Sequence, residues 1–195
     1  MDFEEIQEQN SIDDNTLSED ERFSLKKSIF SIITSGVLAV AIFLFVTVFY
    51  KPTLTHGHSM EPTLSDGDRA IAAVWNYKPA NGDIVVIKDI HKANKYLVKR
   101  IIGIAGDTID IDFSTGEVFR NGELLVEPYI LEKTTAAGDV RFPVTIPEGC
   151  VFVMGDNRNQ STDSRTTYTG MISEKNIEGK VIYRFYPLEK MGKVE

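Results

Sequence analysis

Ser59 and Lys99 are the two residues of this sequence whose chemistry and surroundings stand out. Ser59 opens Ser59-Met60-Glu61-Pro62, which follows shortly after a membrane-length apolar run, and Lys99 begins the basic pair Lys99-Arg100. A serine hydroxyl becomes an effective nucleophile when a neighbouring base removes its proton, and a lysine amine can be that base once it is neutral. These residues therefore suggest a serine nucleophile served by a lysine base at a membrane surface.

The surroundings of Ser59 are compatible with a site but do not establish one. Gly57 permits close approach of the backbone, and Pro62 stiffens the following turn. A serine in a loop of this kind is ordinarily only a loop residue. His58 is badly placed to serve Ser59, because adjacent side chains on extended backbone point in opposite directions. His56, three positions away, stays open as an alternative base.

Lys99 lies in an apolar, strand-like stretch, Tyr96–Gly103. Alternation predicts that Lys99 and Arg100 face opposite sides of the strand, so that one of them points toward the core. In the ordinary case the stem of such a lysine packs while its amine reaches solvent. A base instead needs a pKa lowered from about 10.4 toward 8, which costs about 3 kcal/mol. Burial among apolar side chains can supply that shift, because it disfavours the ammonium form.

The apolar run Ser28–Tyr50 holds 23 residues without a charge. At about 1.5 Å per residue a helix of this length covers the roughly 30 Å hydrocarbon core of a bilayer. We interpret it as a single transmembrane helix, with a buried core helix as the alternative. A cleaved secretory signal is disfavoured, because a shorter apolar region and a small-residue cleavage site at its end are expected. The segment Val46–Tyr50 offers no such site.

The basic residues next to the apolar run predict its orientation. Arg22, Lys26 and Lys27 precede the run, whereas Lys51 alone follows it closely. Positive charges near a helix end are retained on the cytoplasmic side. We therefore expect a cytoplasmic tail over residues 1–27, a membrane anchor over 28–50 and an extracytoplasmic domain over 51–195.

The charges of the chain divide unevenly at the predicted membrane. The tail through Lys27 holds nine acidic and three basic residues, and its low apolar content is typical of disorder. The remaining 20 acids and 18 bases leave the outer domain nearly neutral, without the basic excess of a nucleic-acid binder.

Residues 51–195 suffice for one domain with its own core. Cys150 is the only cysteine, so an internal disulfide is excluded.

The outer domain is predicted to be mainly antiparallel β. Asn121-Gly122 supplies the positive φ angles of a type I′ turn, so the segment around it predicts a hairpin. Any helix should be short, with a candidate at Ser173–Asn176. Five strands are predicted between turn signals: Ile84–Ile87, Tyr96–Val98, Glu117–Phe119, Cys150–Met154 and Lys180–Phe185.

Four motifs in this order resemble bacterial type I signal peptidases. The resemblance covers about residues 28–190, and its single anchor and short outer domain look like the smaller Gram-positive form. It implies a membrane-anchored serine endopeptidase that removes signal peptides from secreted preproteins on the outer face of the membrane. The motifs are Ser59-Met60-Glu61-Pro62-Thr63, Gly82–Val86, Lys99–Asp107 and Gly155–Arg165.

The resemblance also implies roles for individual residues of the reaction. Ser59 would be the nucleophile, and Lys99 would be the general base that later protonates the leaving amine. The backbone N–H of Ser59 would help form the oxyanion hole. Some relatives add a serine hydroxyl two positions earlier, where this chain has Gly57, so we expect the Gly57 N–H to be the second donor. Neither a cofactor nor a metal ion is implied.

Supporting and substrate-binding roles follow from the same resemblance. Ser161 would orient the Lys99 amine, with an ion pair of Asp163 and Arg165 beside it. Asp156 and Arg158 would stabilise the same loop, whereas residues 108–143 would form a non-catalytic β insertion. The expected partners are signal peptides and membrane lipid, but no nucleic acid. A pocket selecting Ala-x-Ala before the cut would be lined by Met60, Leu64, Val86 and Val98.

Two other kinds of function compete with this interpretation. A self-cleaving repressor also uses a serine and a lysine, but it needs a DNA-binding domain where this chain has its apolar run. The other alternative is a factor for assembling pili or surface proteins, acting either as a dedicated peptidase or without catalysis. The presence of both Ser59 and Lys99 argues against an inactive relative.

Overall fold

The computed structural model describes residues 19–89, 91–92 and 95–194. The chain divides into two compact units between Val46 and Thr47. Helix α1 spans Glu19–Phe49 and begins before the apolar run. The charged residues that precede the run do not interrupt the helix, because glutamate, lysine and arginine are good helix formers. Residues 19–27 are thus helical, so the prediction of disorder is wrong for them. The rest of that prediction, residues 1–18, lies outside the described residues.

The large apolar side chains of α1 are exposed from Phe23 to Val48. Ile32 is 71% exposed and Phe43 is 66% exposed, and the stretch Arg22–Phe49 is long and apolar enough to cross a membrane. A core helix would instead bury such side chains against other elements of the protein. The alternative of a buried core helix is therefore wrong.

The unit from Thr47 onward is mainly antiparallel β, as the sequence predicts. An eight-stranded sheet has the order β1-β2-β11-β3-β4-β9-β10, with β12 paired to β11, and a four-stranded sheet has the order β7-β6-β5-β8. The strands are β1 Tyr50–Leu54, β2 Arg69–Ala73, β3 Ile84–Lys88, β4 Tyr96–Ile104, β5 Thr108–Asp112, β6 Glu117–Arg120, β7 Glu123–Leu124, β8 Val144–Thr145, β9 Cys150–Met154, β10 Ile172–Ser173, β11 Ile177–Tyr186 and β12 Gly192–Lys193.

The predicted hairpin turn and the predicted short helix are both confirmed. Asn121 and Gly122 have φ angles of +55° and +82°, and they connect the hairpin strands β6 and β7. A 3₁₀ helix covers Glu174–Asn176, within the candidate helical segment. Two further 3₁₀ helices occur at Arg158–Gln160 and Leu188–Lys190.

The large sheet is covered on both faces, and this determines the environment of β4. Residues Ile84–Ile87 of the neighbouring strand β3 are all buried. In the register of the two strands, Lys99 lies opposite Val85 and Arg100 lies opposite Ile84. Both basic side chains are consequently buried, at 3% and 2% exposure, although alternation predicts that only one faces a core.

The small sheet packs its own apolar cluster against β4 and β9. Ile109, Ile111 and Val118 of the small sheet contact Ile102 and Phe152 of the large sheet in this cluster. The strands β5 to β8 lie within residues 108–145, which corresponds closely to the predicted insertion. The chain leaves this sheet through residues 126–134, a segment that reaches the site described next.

Candidate active site

Ser59 lies in the loop between β1 and β2. The loop is closed at its base by hydrogen bonds from the Thr55 N–H to the Asp68 carbonyl, at 2.9 Å, and from the Gly67 N–H to the Thr55 carbonyl, at 3.0 Å. The carbonyl of Ser59 itself accepts the N–H of Asn157 at 3.1 Å. These backbone contacts fix the position of Ser59 relative to the loop that follows β9.

Lys99 approaches this region from β4. Its Nζ donates a hydrogen bond to Ser161 Oγ at 3.0 Å, and its side chain is almost completely buried. The pKa of Lys99 is lowered to about 8, mainly by burial; the carboxylates of Asp163 and Asp156 oppose the shift, whereas the charge of Arg165 adds to it. A pKa of this size leaves a substantial fraction of the amine neutral near physiological pH, which a general base requires.

Ser59 and Lys99 line one open cavity of about 630 Å³. Among the described residues, no hydrogen bond joins Ser59 Oγ to Lys99 Nζ, since the amine is engaged by Ser161. Such contacts are often long in unliganded enzymes and shorten only when substrate binds. The cavity is lined by Pro52, Thr53, Leu54, Thr55, His56, Gly57, Ser59, Met60, Lys95, Tyr96, Leu97, Val98 and Lys99.

The four residues expected to form a substrate pocket occupy different positions. Met60 and Val98 line the cavity that contains Ser59. Val86 lines an adjoining cavity of about 280 Å³, which shares Pro52 with the first. Leu64 lines neither cavity, because it is fully buried in the apolar cluster that also contains Met60.

The position of Gly57 differs from the expectation. Gly57 has a φ of +81°, and its N–H donates to Asp66 Oδ1 at 2.8 Å. A donor committed to a carboxylate is not available to a developing oxyanion in this conformation, so the expected second donor is not in place. The N–H of Ser59 has no hydrogen-bond partner within the described part of the chain.

The two histidines near Ser59 have different surroundings. His58 Nδ1 lies 2.9 Å from Glu61 Oε1, and this contact raises the pKa of the exposed imidazole. The contact directs His58 toward Glu61. His56 is among the residues that line the cavity.

Asp163 and Arg165 form a buried ion pair next to Ser161. Arg165 Nε lies 2.8 Å from Asp163 Oδ1, and Arg165 Nη2 lies 2.9 Å from Asp163 Oδ2. The same guanidinium donates to the Ser161 carbonyl at 3.3 Å. Asp163 Oδ2 also accepts the N–H of Gly155 at 3.0 Å, so the pair joins both ends of this loop.

Asp156 connects three segments of the site. Its carboxylate accepts two hydrogen bonds from Arg100, from Nε and from Nη2, each at 2.8 Å. It also accepts the hydroxyl of Thr63, in the loop that carries Ser59, at 2.5 Å. The buried arginine of β4 is thereby joined through Asp156 to the loop of the nucleophile.

Arg158 pairs with a residue that the motifs do not contain. Its Nη1 and Nη2 donate to the two carboxylate oxygens of Glu127, at 2.9 and 2.6 Å. Its Nε donates to the Gly155 carbonyl at 3.1 Å. Asp156 and Arg158 therefore both support the loop after β9, but they attach it to different parts of the protein.

Gly155 is a position of the site at which no side chain has room. A Cβ at this residue would lie 2.3 Å from the Ser59 carbonyl oxygen and 2.4 Å from Ser161 Oγ. Sequence reasoning included Gly155 in a motif without giving it a role. Arg100 was singled out only for its charge, and no sequence signal identified Glu127.

The site is built from serine, lysine and buried ion pairs. No group of three or more His, Cys, Asp or Glu side chains that could hold a metal ion is found in residues 19–89, 91–92 and 95–194.

Comparisons with known proteins identify the family of this chain. The family described as signal peptidase, peptidase S26, matches residues 27–186. Signal peptidase I of Bacillus licheniformis is 36% identical over 192 residues, which cover 92% of this chain and 100% of the relative. Signal peptidase I U of Bacillus subtilis (strain 168) is 38% identical over 179 residues, covering 85% and 92%.

A solved signal peptidase I structure from Enterococcus faecalis V583 is 30% identical, with a TM-score of 0.45, and covers 53% of this chain and 97% of that one. The family match and the Bacillus relatives extend over most of the sequence and include Ser59, Lys99 and the loop after β9. The chain therefore belongs to the signal peptidase I family of serine peptidases, peptidase S26.

Proposed function

We propose that this protein cleaves signal peptides from secreted preproteins with a Ser59–Lys99 dyad. The observation that carries the proposal is the buried Lys99 amine, which is held by Ser161 Oγ and lines the same cavity as Ser59. A surface lysine would be protonated at neutral pH and could not accept a proton. The low pKa of Lys99 supports its use as a base.

The first half of the reaction forms an acyl-enzyme. Neutral Lys99 Nζ removes the proton from Ser59 Oγ as the oxygen attacks the scissile carbonyl carbon. The resulting oxyanion accepts a hydrogen bond from the backbone N–H of Ser59. The Lys99 ammonium then gives its proton to the leaving nitrogen, and the carbon–nitrogen bond breaks. The mature protein departs with a new amino terminus, while the signal peptide stays esterified to Ser59.

The second half of the reaction regenerates the enzyme. Lys99 removes a proton from a water molecule, whose oxygen attacks the ester carbonyl. The tetrahedral intermediate collapses, Ser59 Oγ leaves, and the Lys99 ammonium returns a proton to it. The products are the free carboxylate of the signal peptide and the original hydroxyl of Ser59.

The substrate is proposed to bind as an extended strand between two open sheet edges. β1 is the terminal strand of the large sheet, and the pairing of β4 with β9 begins only at Arg100. Residues Tyr96–Lys99 and β1 therefore both present backbone groups at the cavity. An extended peptide can pair with such edges while its alternate side chains enter pockets. Met60 and Val98 would favour the small side chains of Ala-x-Ala, with Val86 farther along the adjoining cavity.

Helix α1 is proposed to anchor the enzyme in the cell membrane. Its length, apolar composition and exposed side chains fit a single span. The basic residues before the span support a cytoplasmic amino terminus and an extracytoplasmic catalytic unit. The signal peptide of a preprotein is itself membrane-bound, so anchoring places enzyme and substrate at the same surface.

The proposal is tested with full-length protein in detergent and a preprotein that carries an Ala-x-Ala site. We expect the wild type to cut directly after this site, which sequencing of the new amino terminus would show. Ser59→Ala and Lys99→Ala should be inactive although folded. Cleavage by either variant would refute the dyad, whereas cleavage only of pilin-like or surface-protein substrates would indicate a dedicated enzyme.

A further inference from the structure

Glu127 lies after β7, in the segment by which the chain leaves the small sheet. Both of its carboxylate oxygens accept hydrogen bonds from the guanidinium of Arg158, at 2.9 and 2.6 Å. The side chains are 5% and 0% exposed, respectively. A buried guanidinium needs a partner of opposite charge, and the paired geometry fixes its orientation as well as its position.

Arg158 transmits this constraint to the backbone at Gly155. Its Nε donates to the Gly155 carbonyl at 3.1 Å, while the Gly155 N–H is held by Asp163 at 3.0 Å. Gly155 packs so closely against the Ser59 carbonyl and the Ser161 side chain that a Cβ atom would not fit there. Its position therefore limits where Ser161 can lie.

Ser161 completes the connection to the amine. Its hydroxyl accepts the hydrogen bond from Lys99 Nζ at 3.0 Å. Any displacement of Gly155 that shifts Ser161 changes the position of the amine relative to Ser59. Changes of about 1 Å in such a position can lower a rate by about 100-fold.

Tyr129 adds a second contact from the same segment. Its hydroxyl donates to Glu127 Oε1 at 3.1 Å, and its ring lies 3.8 Å from the Arg100 guanidinium. Arg100 in turn is paired with Asp156, the neighbour of Gly155. The segment 127–129 thus contacts two of the buried arginines that border the catalytic loop.

We propose that Glu127 is a positioning residue for Lys99, acting through Arg158 and Gly155. The inference rests on the proposed Ser59–Lys99 dyad and extends it to the connection between β7 and β8. This connection lies within residues 108–143, the segment expected to be a non-catalytic insertion. In this arrangement it contributes one carboxylate that sets the geometry of the site without taking part in proton transfer.

The test uses Glu127→Gln, which keeps the size of the side chain and removes its charge. We expect kcat for a preprotein to fall on the order of tenfold to 100-fold, because the amine loses its alignment. KM should change less than about twofold, because substrate contacts are kept. The midpoint of the pH profile should move to lower pH, because an unpaired guanidinium charge disfavours the Lys99 ammonium.

Glu117→Gln is the matched control. Glu117 begins β6 in the same segment 108–143, and its ion pair with Lys133, at 3.5 Å, is exposed. This variant should keep the wild-type kcat and the wild-type pH midpoint. An equal loss of activity in Glu117→Gln would overturn the proposal, because charge removal anywhere on the sheet would then suffice.

A second variant separates positioning from stability. In Glu127→Gln/Arg158→Met no buried charge is left unpaired, so the thermal midpoint should return toward the wild-type value. We expect kcat to stay low, since the Gly155 carbonyl has lost its donor. Wild-type kcat in this double variant, or wild-type kcat and pH midpoint in a folded Glu127→Gln, would overturn the proposal. Turnover by Ser59→Ala or Lys99→Ala in the same assay would instead refute the dyad itself.

Discussion

Lys99 Nζ donates a hydrogen bond to Ser161 Oγ at 3.0 Å, so the amine is held by a residue other than the nucleophile. The side chain of Lys99 crosses from β4 to the loop after β9, and Ser161 determines where it ends. This relationship makes Ser161 part of the catalytic geometry although its hydroxyl has no proposed role in bond making.

Replacing Ser161 with Ala should therefore impair catalysis more than binding. Without the hydroxyl, the Lys99 amine can occupy other positions, and we expect kcat to fall by about 10- to 100-fold. KM should change little, because Ser161 is not among the residues that line the cavity. Steady-state kinetics with a preprotein substrate would measure both values. Restoration of much of the activity by Ser161→Thr would indicate that the hydroxyl is the required group.

The pH dependence of kcat/KM should report the pKa of Lys99. Because that pKa is about 8, the rate should rise tenfold per pH unit well below pH 8 and become constant above it. The neutral amine is the active form, so activity increases with pH. Measurement of initial rates between pH 6 and pH 10 would test this. A midpoint well below pH 8 would contradict the use of Lys99 as the base.

The stability of the protein should also depend on pH through Lys99. The folded-state pKa of Lys99 lies below its unfolded value of 10.5. Burial of the ammonium therefore costs about 3 kcal/mol at pH values below 8, and this cost disappears as the pH rises from 8 to 10.5.

Lys99→Met isolates this contribution. Its side chain has a similar length and no charge, so at pH 7 the variant should be more stable than the wild type by up to about 3 kcal/mol, less the loss of the Ser161 hydrogen bond. The difference should shrink toward zero near pH 10.5. Denaturant unfolding of both proteins at several pH values would measure it. A variant less stable than the wild type at pH 7 would mean that the ammonium is well stabilised in the fold.

The sequence was sufficient to predict the parts of this protein that depend on local patterns. The apolar run, the strands from alternating residues and the Asn121-Gly122 hairpin each follow from neighbours in the chain. The motif around Ser161 also identified a residue that contacts Lys99 in the structure. Charge and periodicity alone could not show that Arg100 is buried as well, because its burial depends on how the two sheets pack.

The remaining site contacts join residues that are far apart in the chain. Glu127, between β7 and β8, meets Arg158 in the loop after β9. Asp66 accepts the N–H of Gly57 within the loop between β1 and β2. A single sequence contains no periodic or spacing signal for such pairs. The oxyanion donor expected at Gly57 illustrates this limit, since only the hydrogen bond to Asp66 shows that the N–H is engaged.

Breaking the ion pair between Arg100 and Asp156 should destabilise the fold. Both side chains are buried, at 3% and 0% exposure, so Asp156→Asn removes the buried negative charge that accepts two hydrogen bonds from the guanidinium. We expect a loss of about 3 to 5 kcal/mol in the free energy of unfolding. Glu178→Gln is the control, because its pair with Lys51 is exposed and should contribute less than about 1 kcal/mol. If urea unfolding showed equal losses of stability for Asp156→Asn and Glu178→Gln, burial would not be the reason that the Arg100–Asp156 pair matters.

Gly155→Ala should abolish most of the activity by steric displacement alone. The added Cβ would lie 2.3 Å from the Ser59 carbonyl oxygen and 2.4 Å from Ser161 Oγ, so the nucleophile loop or the residue that holds Lys99 must move. Backbone strain is not involved, because Gly155 does not have a positive φ. We expect kcat/KM to fall by about 100-fold or more.

Gly192→Ala provides the comparison for Gly155→Ala. A Cβ at Gly192 would meet no atom within 4 Å, and this glycine too lacks a positive φ. Its kcat/KM and thermal midpoint should remain at the wild-type values. Wild-type activity in Gly155→Ala would show that the two loops can separate without harm to the dyad, and the close contact between Ser59, Gly155 and Ser161 would then have no catalytic consequence.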